Sequence, residues 1–191
     1  MAKIAVFASG NGSNFEAIAS KLQGTLHRIE FLLCNKRGAR VIERAKKFGI
    51  PVYTVDYRKA EREKVEEEII GLVEKHRIDL IVLAGWMKIL TPHFTERYRK
   101  RILNIHPALL PKYPGTNAIE RSYRAGDMEL GITIHFVDSG VDTGPIILQK
   151  SFQRNGKETL TEVEEHIHRM EHLYYPEVVK KLLDDIGDSN E

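Results

Sequence analysis

The stretch LNIHPALLPKYPG, residues 103–115, places an asparagine and a histidine where they could act together. Asn104 and His106 are two positions apart in an apolar strand-like run, so both side chains project from one face, and Pro107 fixes where the chain turns away. An amide donor and an imidazole at a strand end suit the stabilisation of a developing oxyanion, and histidine can also move a proton near neutral pH. The open alternative is a turn in which both side chains only satisfy backbone groups.

A second polar tract, DSGVDTGPI at residues 138–146, places Asp138 and Asp142 in a loop interrupted by glycines. Catalytic carboxylates are often carried by loops that rigid elements hold at a strand end. A carboxylate near His106 would favour the charged imidazole or accept its proton during turnover. A polar turn without a catalytic role is the alternative for this tract.

The loop SGNGSN at residues 9–14 joins an apolar strand-like run to a helical pattern. It fails the G-x-G-x-x-G fingerprint because Phe15 stands at the third glycine, and residues 34–36 lack the acid that holds a dinucleotide ribose. A Walker loop is excluded because no Gly-Lys-Ser or Gly-Lys-Thr follows. Backbone N–H groups at the helix start, with Ser13 and Asn14, would suit a single phosphate. A tight turn with Ser13 or Asn14 as the N-cap is the alternative.

Apolar runs of strand length alternate with helical patterns along the first half of the chain. The predicted strands cover residues 3–8, 29–34, 52–55 and 79–84, and the predicted helices cover residues 15–22, 39–48 and 61–76. This alternation indicates a parallel sheet with helices on both faces and right-handed crossovers. Ligands of such sheets bind at the carboxyl ends of the strands.

The second half of the chain predicts a change in strand direction. A short strand at 102–105 leads into the proline-rich loop and a helix, after which strands at 130–137 and 145–152 could pair antiparallel. A final helix begins at about Thr161, with a break or kink expected at Pro176. The elements together predict an α/β fold with a mostly parallel central sheet and an antiparallel C-terminal portion.

Length and composition favour one well-buried soluble domain. The chain has 191 residues, of which 42% are hydrophobic and 29% charged, so we expect a single domain over residues 1–191. The net charge of +2 provides no overall field to recruit nucleic acid or an anionic membrane. Cys34 is the only cysteine, which excludes an intrachain disulfide. With no signal-peptide pattern and no apolar run of about 18 residues, the expected location is cytoplasmic.

Two further motifs are weaker pointers to function. The segment HRMEH fits the His-x-x-Glu-His pattern of certain zinc proteases, but little of the chain follows His172 to supply a distant third ligand, so we expect no metal site. The basic run RYRKR at residues 97–101 is typical of a solvated helix end in a chain of this net charge. No nucleic-acid partner is expected.

Four stretches together resemble a known family. SGNGSN, LAGWMKIL at residues 83–90, LNIHPALLPKYPG and GVDTGPIILQ at residues 140–149 occur in this order and spacing in phosphoribosylglycinamide formyltransferases. The resemblance extends from about Lys3 to the last helix. The Asn-Ile-His and distal Asp tracts are shared by the wider class of 10-formyltetrahydrofolate-dependent formyltransferases and hydrolases, whereas the SGNGSN loop narrows the match toward a phosphoribosyl substrate.

The resemblance implies a Rossmann-like formyltransferase fold and formyl transfer from 10-formyltetrahydrofolate to the amine of glycinamide ribonucleotide, in purine biosynthesis. It implies that Asn104 and protonated His106 hold the oxyanion, while Asp142 holds His106 and assists proton movement. No metal is needed. The implied phosphoribosyl-binding residues are Asn11, Gly12, Ser13 and Asn14 for the phosphate and Glu171 for the ribose hydroxyls.

The same resemblance implies a folate site in which residues 87–90 line the pterin pocket and residues 137–141 give main-chain contacts. Arg62 approaches the glutamyl tail, although it also fits a solvated charge within KAEREKVEEE. The implied folate-binding residues are Arg62, Met87, Lys88, Ile89, Leu90, Asn104, Val137, Asp138, Ser139, Gly140 and Val141. The expected partners are these small molecules, without nucleic acid or membrane, and the expected state is a monomer or homodimer.

The implied organisation is a phosphate-binding half at about 1–100, a folate and catalytic half at about 101–185, and a tail at 186–191. Residues 116–119 depart from the family, since many relatives carry histidines there, and Trp86 and Lys88 stand where Phe and Arg are frequent. The alternative functions are a formyltetrahydrofolate hydrolase, a sugar-nucleotide or methionyl-tRNA formyltransferase, and a non-enzymatic nucleotide-binding module. We expect the chain to lack the additional domains that the hydrolase and methionyl-tRNA classes carry.

Overall fold

The computed structural model describes residues 1–188 as one α/β unit. Its strands are β1 (Lys3–Ala8), β2 (Arg28–Cys34), β3 (Val52–Thr54), β4 (Leu80–Leu83), β5 (Ile102–His106), β6 (Glu129–Phe136) and β7 (Ile146–Gln153). Its helices are α1 (Ser13–Leu22), α2 (Arg40–Lys47), α3 (Arg62–Lys75), α4 (Pro92–Arg97), α5 (Ala118–Arg124) and α6 (Leu160–Asp188). Of the expected tail, residues 186–188 belong to α6, and residues 189–191 lie outside the described part of the chain.

The strands form a single sheet in the order β3-β2-β1-β4-β5-β6-β7. Strands β1 to β5 pair in parallel, and β6 pairs antiparallel with both β5 and β7. The predicted α/β class, mostly parallel sheet and antiparallel C-terminal portion are therefore confirmed. The chain moves outward from β1 to β3 and returns to the other side of β1 at β4. Ligands of such sheets bind outside the carboxyl ends of the strands at this reversal.

The central strands are buried on both sides because helices cover both faces of the sheet. Along β1, Ile4 and Val6 belong to one apolar core, while Ala5 and Phe7 belong to the other. Helices α1, α2 and α6 pack on the first face, and α3 and α4 pack on the second. This burial explains the near-continuous apolar runs seen in the sequence.

Helix α6 passes through Pro176 without ending there, so of the expected break or kink the break is wrong and the kink stays a prediction. Proline removes one helical hydrogen bond and crowds the preceding turn, but packing on both sides of this position outweighs that cost. Tyr175 is fully buried, and its hydroxyl donates to the carbonyl oxygens of Leu83 at 2.8 Å and Leu103 at 3.1 Å. The helix is thereby held across β4 and β5, which places its preceding turn beside the start of α1.

The short helix α4 was not predicted from the sequence. Thr91 caps it, accepting from the N–H of Phe94 at 3.3 Å, and Pro92 stands in its first turn. The carboxylate of buried Glu66 accepts from the N–H of Thr91 at 3.0 Å, so the helix start is tied to α3. Within the basic run that follows, Arg97 pairs with Glu74.

Among residues 1–188, no helix has the length and apolar character needed to span a bilayer.

Candidate active site

The loops that follow β1 and β4 lie side by side at the carboxyl edge of the sheet. The N–H of Ser9 donates to the carbonyl of Gly85 at 3.0 Å, and the N–H of Met87 donates to the Ser9 hydroxyl at 2.9 Å. Because β1 and β4 are neighbours at the reversal of strand order, these loops border the expected ligand crevice. The predicted phosphate loop and the predicted pterin stretch therefore share one edge.

The loop after β1 turns into α1 through Gly12, whose φ of 79° lies in the left-handed region. Gly12 occupies the N-cap position, and within residues 1–188 no side chain makes a capping hydrogen bond, so the alternative of Ser13 or Asn14 as N-cap is wrong. The first N–H groups of α1 have no capping side chain, and they are the groups that bind anions at helix starts. Asn14 Nδ2 instead donates to Glu171 Oε2 at 3.3 Å.

Helix α2 supports this loop from one side. Arg44 donates from Nε to the carbonyl of Asn11 at 2.9 Å and from Nη2 to Asn11 Oδ1 at 3.3 Å, and it also pairs with Glu16 of α1. The N–H of Val41 donates to the carbonyl of Gly10 at 3.1 Å. Sequence reasoning missed Arg44, because a lone arginine on a charged amphipathic helix gives no signal that distinguishes it from a solvated side chain.

We expect Gly12→Ala to destabilise the protein. A Cβ at Gly12 would lie 2.4 Å from Val41 Cγ2 and would also occupy an unfavourable left-handed backbone, so the loop or α2 must shift. Strain and overpacking of this kind cost roughly 1–3 kcal/mol of unfolding free energy. Urea denaturation measures the loss. Gly10→Ala is the matched control, since a Cβ there meets nothing within 4 Å, and equal stabilities of the two variants would contradict the assignment.

Glu171 faces the same loop from α6. It is 6% exposed, and its Oε2 accepts from Asn14 Nδ2 and lies 2.9 Å from His168 Nδ1. That interaction with Glu171 raises the pKa of His168. The predicted ribose residue is thus next to the predicted phosphate loop, although 157 positions separate Glu171 from Asn14 in sequence. In the part of the chain that the structure describes, no group of three or more His, Cys, Asp or Glu side chains is arranged to hold a metal.

A second polar group lies on one face of β5 and β6. Asn104 and His106 alternate with buried apolar residues on β5, and the antiparallel register sets Asn104 opposite His135 and His106 opposite Thr133. Residues two apart on a strand share a face, so all four side chains project to one side. Sequence reasoning missed His135, although a histidine inside the apolar strand GITIHF was a usable signal.

Asp142 lies at the centre of this group. Its Oδ2 accepts from the N–H of Gly115 at 2.8 Å and lies 3.3 Å from His106 Nδ1. Its Oδ1 lies 3.4 Å from His135 Nε2 and 3.5 Å from Asn104 Nδ2. One carboxylate therefore contacts both imidazoles and the amide, and the structure brings together the three residues that the sequence assigned to catalysis.

The loop between β5 and α5 is held against β6 by a buried hydroxyl. Thr133 Oγ1 donates to the carbonyl of Ala108 at 2.7 Å and accepts from the N–H of Leu110 at 3.1 Å. Gln149 Nε2 donates to the Leu110 carbonyl at 2.7 Å. At the far end of the loop, the carbonyl of Tyr113 lies 2.7 Å from His106 Nε2, so it orients the imidazole.

The charge states of the central pair follow from burial and mutual attraction. Burial lowers the pKa of His106 below its ordinary value of 6.5, and the nearby Asp142 carboxylate opposes this change only in part. Burial raises the pKa of Asp142, but contacts with His135, Gly115 and His106 outweigh it, so the net pKa is lowered. The lowered pKa of Asp142 favours its carboxylate and the lowered pKa of His106 favours its neutral imidazole, whereas the family resemblance implied a protonated imidazole.

We expect nuclear magnetic resonance to find His106 titrating below pH 6.5 in the free protein. In Asp142→Asn its pKa should fall further, because the carboxylate favours the charged imidazole and the amide does not. Side-chain nitrogen shifts recorded from pH 4.5 to 8.5 measure both values. An unchanged or raised pKa in the variant would show that Asp142 does not act on His106 electrostatically.

Apart from Arg62 and Asn104, the predicted folate residues lie on two loops, at residues 87–90 and 137–141. Met87, Ile89 and Val141 are 69%, 58% and 46% exposed, which is unusual for large apolar side chains, whereas Leu90 is buried. Asp138 Oδ1 accepts from the N–H of Gly140 at 3.0 Å and from the Thr143 hydroxyl at 2.7 Å. This side chain therefore shapes the 137–141 loop that also carries Ser139. Val137 is the first residue of this loop, and its N–H donates to the Ile102 carbonyl at 2.9 Å.

The structure defines the surroundings of residues 116–119 and Trp86, which depart from the family pattern, and of Arg62. Residues 116–119 lead into α5, where Asn117 is the N-cap with a φ of 56°. Trp86 is buried, with ring centroids 5.4 Å from Phe7 and 6.1 Å from Tyr57. Arg62 is the first residue of α3 and is exposed.

The chain was compared with known proteins and structures. The formyl transferase family model matches residues 2–179. The chain is 45% identical to the phosphoribosylglycinamide formyltransferase of Bacillus subtilis (strain 168), covering 96% of this chain and 95% of that protein. It is 40% identical to the trifunctional purine biosynthetic protein adenosine-3 of Chironomus tentans, covering 93% of this chain but only 13% of that protein.

A solved structure agrees in fold as well as in sequence. The phosphoribosylglycinamide formyltransferase of Streptococcus pneumoniae TIGR4 superposes with a TM-score of 0.90 at 46% identity, covering 95% of this chain and 99% of that one. Sequence identity at this level over nearly the whole length implies common descent as well as a shared fold. The chain belongs to the formyl transferase family.

Proposed function

We propose that the protein transfers the formyl group of 10-formyltetrahydrofolate to the amine of glycinamide ribonucleotide, a step of purine biosynthesis. The observation that carries this proposal is the contact of one carboxylate, Asp142, with the three other polar groups of the site, Asn104, His106 and His135. The similarity to enzymes named phosphoribosylglycinamide formyltransferase supports the choice of substrate.

In the proposed reaction the amine nitrogen attacks the formyl carbon and forms a tetrahedral intermediate. The bond from that carbon to N10 of the folate then breaks, giving the N-formyl product and tetrahydrofolate. One proton leaves the amine and one proton is gained by N10, so the proton balance closes within the site. No step requires a metal ion.

Asn104 donates to the oxyanion of this intermediate, and His106, whose two ring nitrogens face the Tyr113 carbonyl and Asp142, stabilises it through its positive charge. The two contacts of Asn104 Nδ2, to His135 at 3.4 Å and to Asp142 at 3.5 Å, are long, so its N–H groups are available to a developing negative charge. The oxyanion also favours the charged form of His106, whose pKa burial lowers in the free protein. Asp142 holds His106 and assists proton transfer from the amine to the folate nitrogen through water.

The phosphoribosyl end of the substrate lies on the loop after β1. Asn11, Gly12, Ser13 and Asn14 offer the phosphate their backbone and side chains at the start of α1, and Glu171 accepts from the ribose hydroxyls. The folate lies against residues 87–90 and 137–141, and Arg62 reaches its glutamyl tail.

Ser13→Asp should raise KM for glycinamide ribonucleotide at least about tenfold, because the new carboxylate repels the phosphate. An acidic residue in the first helical turn is compatible with α1, so folding should be retained. Steady-state kinetics should find KM for the folate unchanged, and Ser13→Asn, which adds a similar volume without charge, is the control. Equal weakening of both substrates would argue against a dedicated phosphate site.

The reaction itself is tested by mixing the protein, 10-formyltetrahydrofolate and candidate acceptors and following tetrahydrofolate formation. Product with glycinamide ribonucleotide, and none with a sugar-nucleotide amine or with methionyl-tRNA, is the expected result. Formation of tetrahydrofolate and formate without any amine would instead identify a hydrolase. Binding of the ribonucleotide without turnover would identify a non-enzymatic module.

A further inference from the structure

Two histidines of α6 lie on either side of Glu171 in sequence, and the proposed reaction assigns neither of them a role. His168 and His172 are the two histidines of the HRMEH motif. Glu171 itself is buried. A buried carboxylate is costly unless hydrogen-bond donors satisfy it, so the groups around Glu171 determine how it can act on a ligand.

The two contacts of the Glu171 carboxylate go to the same oxygen. Oε2 accepts from Asn14 Nδ2 at 3.3 Å and from His168 Nδ1 at 2.9 Å. Within residues 1–188, no side chain or backbone group donates to Oε1. A carboxylate that is anchored at one oxygen has a fixed orientation, and the lone pairs of its other oxygen remain available to a ligand.

The contact with His168 is the stronger of the two. It is shorter than the contact with Asn14, and because a carboxylate only accepts, His168 Nδ1 carries the proton. The hydrogen bond to Glu171 raises the pKa of His168 against the effect of burial, and Glu164 on the same helix adds to the rise. The charged imidazole is thereby favoured, and a charge-assisted hydrogen bond is stronger than a neutral one.

Two further polar atoms near Glu171 are buried without a hydrogen-bond partner among the described residues, Asn14 Oδ1 and His172 Nε2. Burial lowers the pKa of His172, which Glu171 opposes, while His168 and Arg44 of α2 add to the lowering. Of the two histidines, His168 is therefore the one that supports the negative charge of Glu171. Asn14 Oδ1 and Glu171 Oε1 offer two acceptors in one small region, which suits the neighbouring hydroxyls of a ribose.

We propose that His168 is a positioning residue for ribose recognition, which holds Oε2 of Glu171 so that Oε1 accepts from the ribose hydroxyls. The inference rests on the proposed function, because that function places the ribose at Glu171. The alternative is a structural role, in which the pair of His168 and Glu171, three residues apart, only stabilises α6. A structural pair of this kind would leave the affinity for the ribonucleotide unchanged.

The test compares the wild type with His168→Ala and His168→Asn in steady-state kinetics. His168→Ala should raise KM for glycinamide ribonucleotide about three- to tenfold, as for loss of one half-exposed charge-assisted hydrogen bond, with kcat and KM for the folate unchanged. Asparagine places an amide N–H near the position of Nδ1, so His168→Asn should recover KM to within about twofold of the wild type. His93→Ala is the matched control, because it removes an exposed histidine that lies 2.9 Å from Glu67, and it should leave KM unchanged.

Inorganic phosphate separates ribose recognition from a general effect of charge. As a competitor of glycinamide ribonucleotide it should have the same inhibition constant with the wild type and with His168→Ala, because it carries no ribose. Equal weakening of phosphate and ribonucleotide would show that the charge of His168 attracts the phosphate, and would overturn the proposal. A His168→Asn variant as impaired as His168→Ala would contradict an action through the hydrogen bond.

Calorimetric titration with glycinamide ribonucleotide alone measures the affinity without turnover. A three- to tenfold weaker binding by His168→Ala would support the positioning role even if no formyl group is transferred. Normal formyl transfer with equal affinities of the wild type and His168→Ala would overturn the positioning role and leave the proposed function intact. Failure of the wild type to bind the ribonucleotide would overturn the proposed function, and this inference with it.

Discussion

Asp142→Asn is expected to lower kcat by about 10²–10⁴, the range for loss of a positioned acid–base group. The carboxylate lies between His106 Nδ1 at 3.3 Å and His135 Nε2 at 3.4 Å, so its charge orients both rings and assists the proton transfer. Asparagine keeps the size of the side chain and an oxygen that can accept from the N–H of Gly115. It also tolerates the left-handed backbone at this position, where φ is 55°, so the loop should keep its conformation.

Single-turnover and steady-state kinetics measure this loss, and circular dichroism checks the fold. Glu165→Gln is a suitable control, because it removes a carboxylate of the same half of the protein that forms an exposed ion pair with Arg169, at 4.0 Å. Its kcat should remain within about twofold of the wild type, as for other surface ion pairs. Near-full turnover in Asp142→Asn would remove this residue from the proposed mechanism.

Asn104→Ala is expected to lower kcat by on the order of 10²–10³ with little change in KM, because it removes an oxyanion donor that acts in the transition state. Among residues 1–188, the Asn104 amide nitrogen makes contacts of 3.4 Å and 3.5 Å only. Hydrogen bonds of that length contribute little to stability, so the unfolding free energy should fall by less than about 1 kcal/mol.

Two measurements separate the effect on catalysis from the effect on stability: kcat at saturating substrates and the urea midpoint of unfolding. Asn155→Ala provides the comparison. Asn155 lies on an exposed loop that is distant from the site residues in sequence, and its side chain accepts from the N–H of Lys157 at 2.8 Å. The Asn155→Ala variant should have a slightly lower unfolding free energy and an unchanged kcat. An Asn104→Ala variant that unfolds more easily but turns over normally would assign Asn104 to structure.

The arrangement of the sheet explains how one small domain can serve two substrates. The proposed phosphate loop follows β1, the proposed pterin stretch follows β4, and Asn104 and His106 belong to β5, so three neighbouring parallel strands carry the proposed site along one edge of the sheet. Tyr175 links β4 and β5 to α6, which brings Glu171 to the loop after β1. Such rigid support is what positions reacting groups to within the tolerance that catalysis needs.

Local sequence patterns were sufficient for most of the fold. Continuous apolar runs indicated strands that are buried on both faces, and apolar residues spaced three to four positions apart indicated the helices that cover them. The patterns failed where tertiary packing overrides local preference. Pro176 is kept inside α6 because Tyr175 and the following turns are buried, and α4 was missed because a single capped turn carries little periodicity.

The sequence by itself determined the chemical types in the site: an amide, an imidazole and a carboxylate at strand ends, with a glycine-rich loop before a helix. Only the tertiary structure decided their relations, because contacts such as Asp142 with His135 or Asn14 with Glu171 depend on strand order and on the docking of α6. The same holds for charge, because the pKa of His106 is lowered by burial, which follows from the tertiary packing and not from the local sequence.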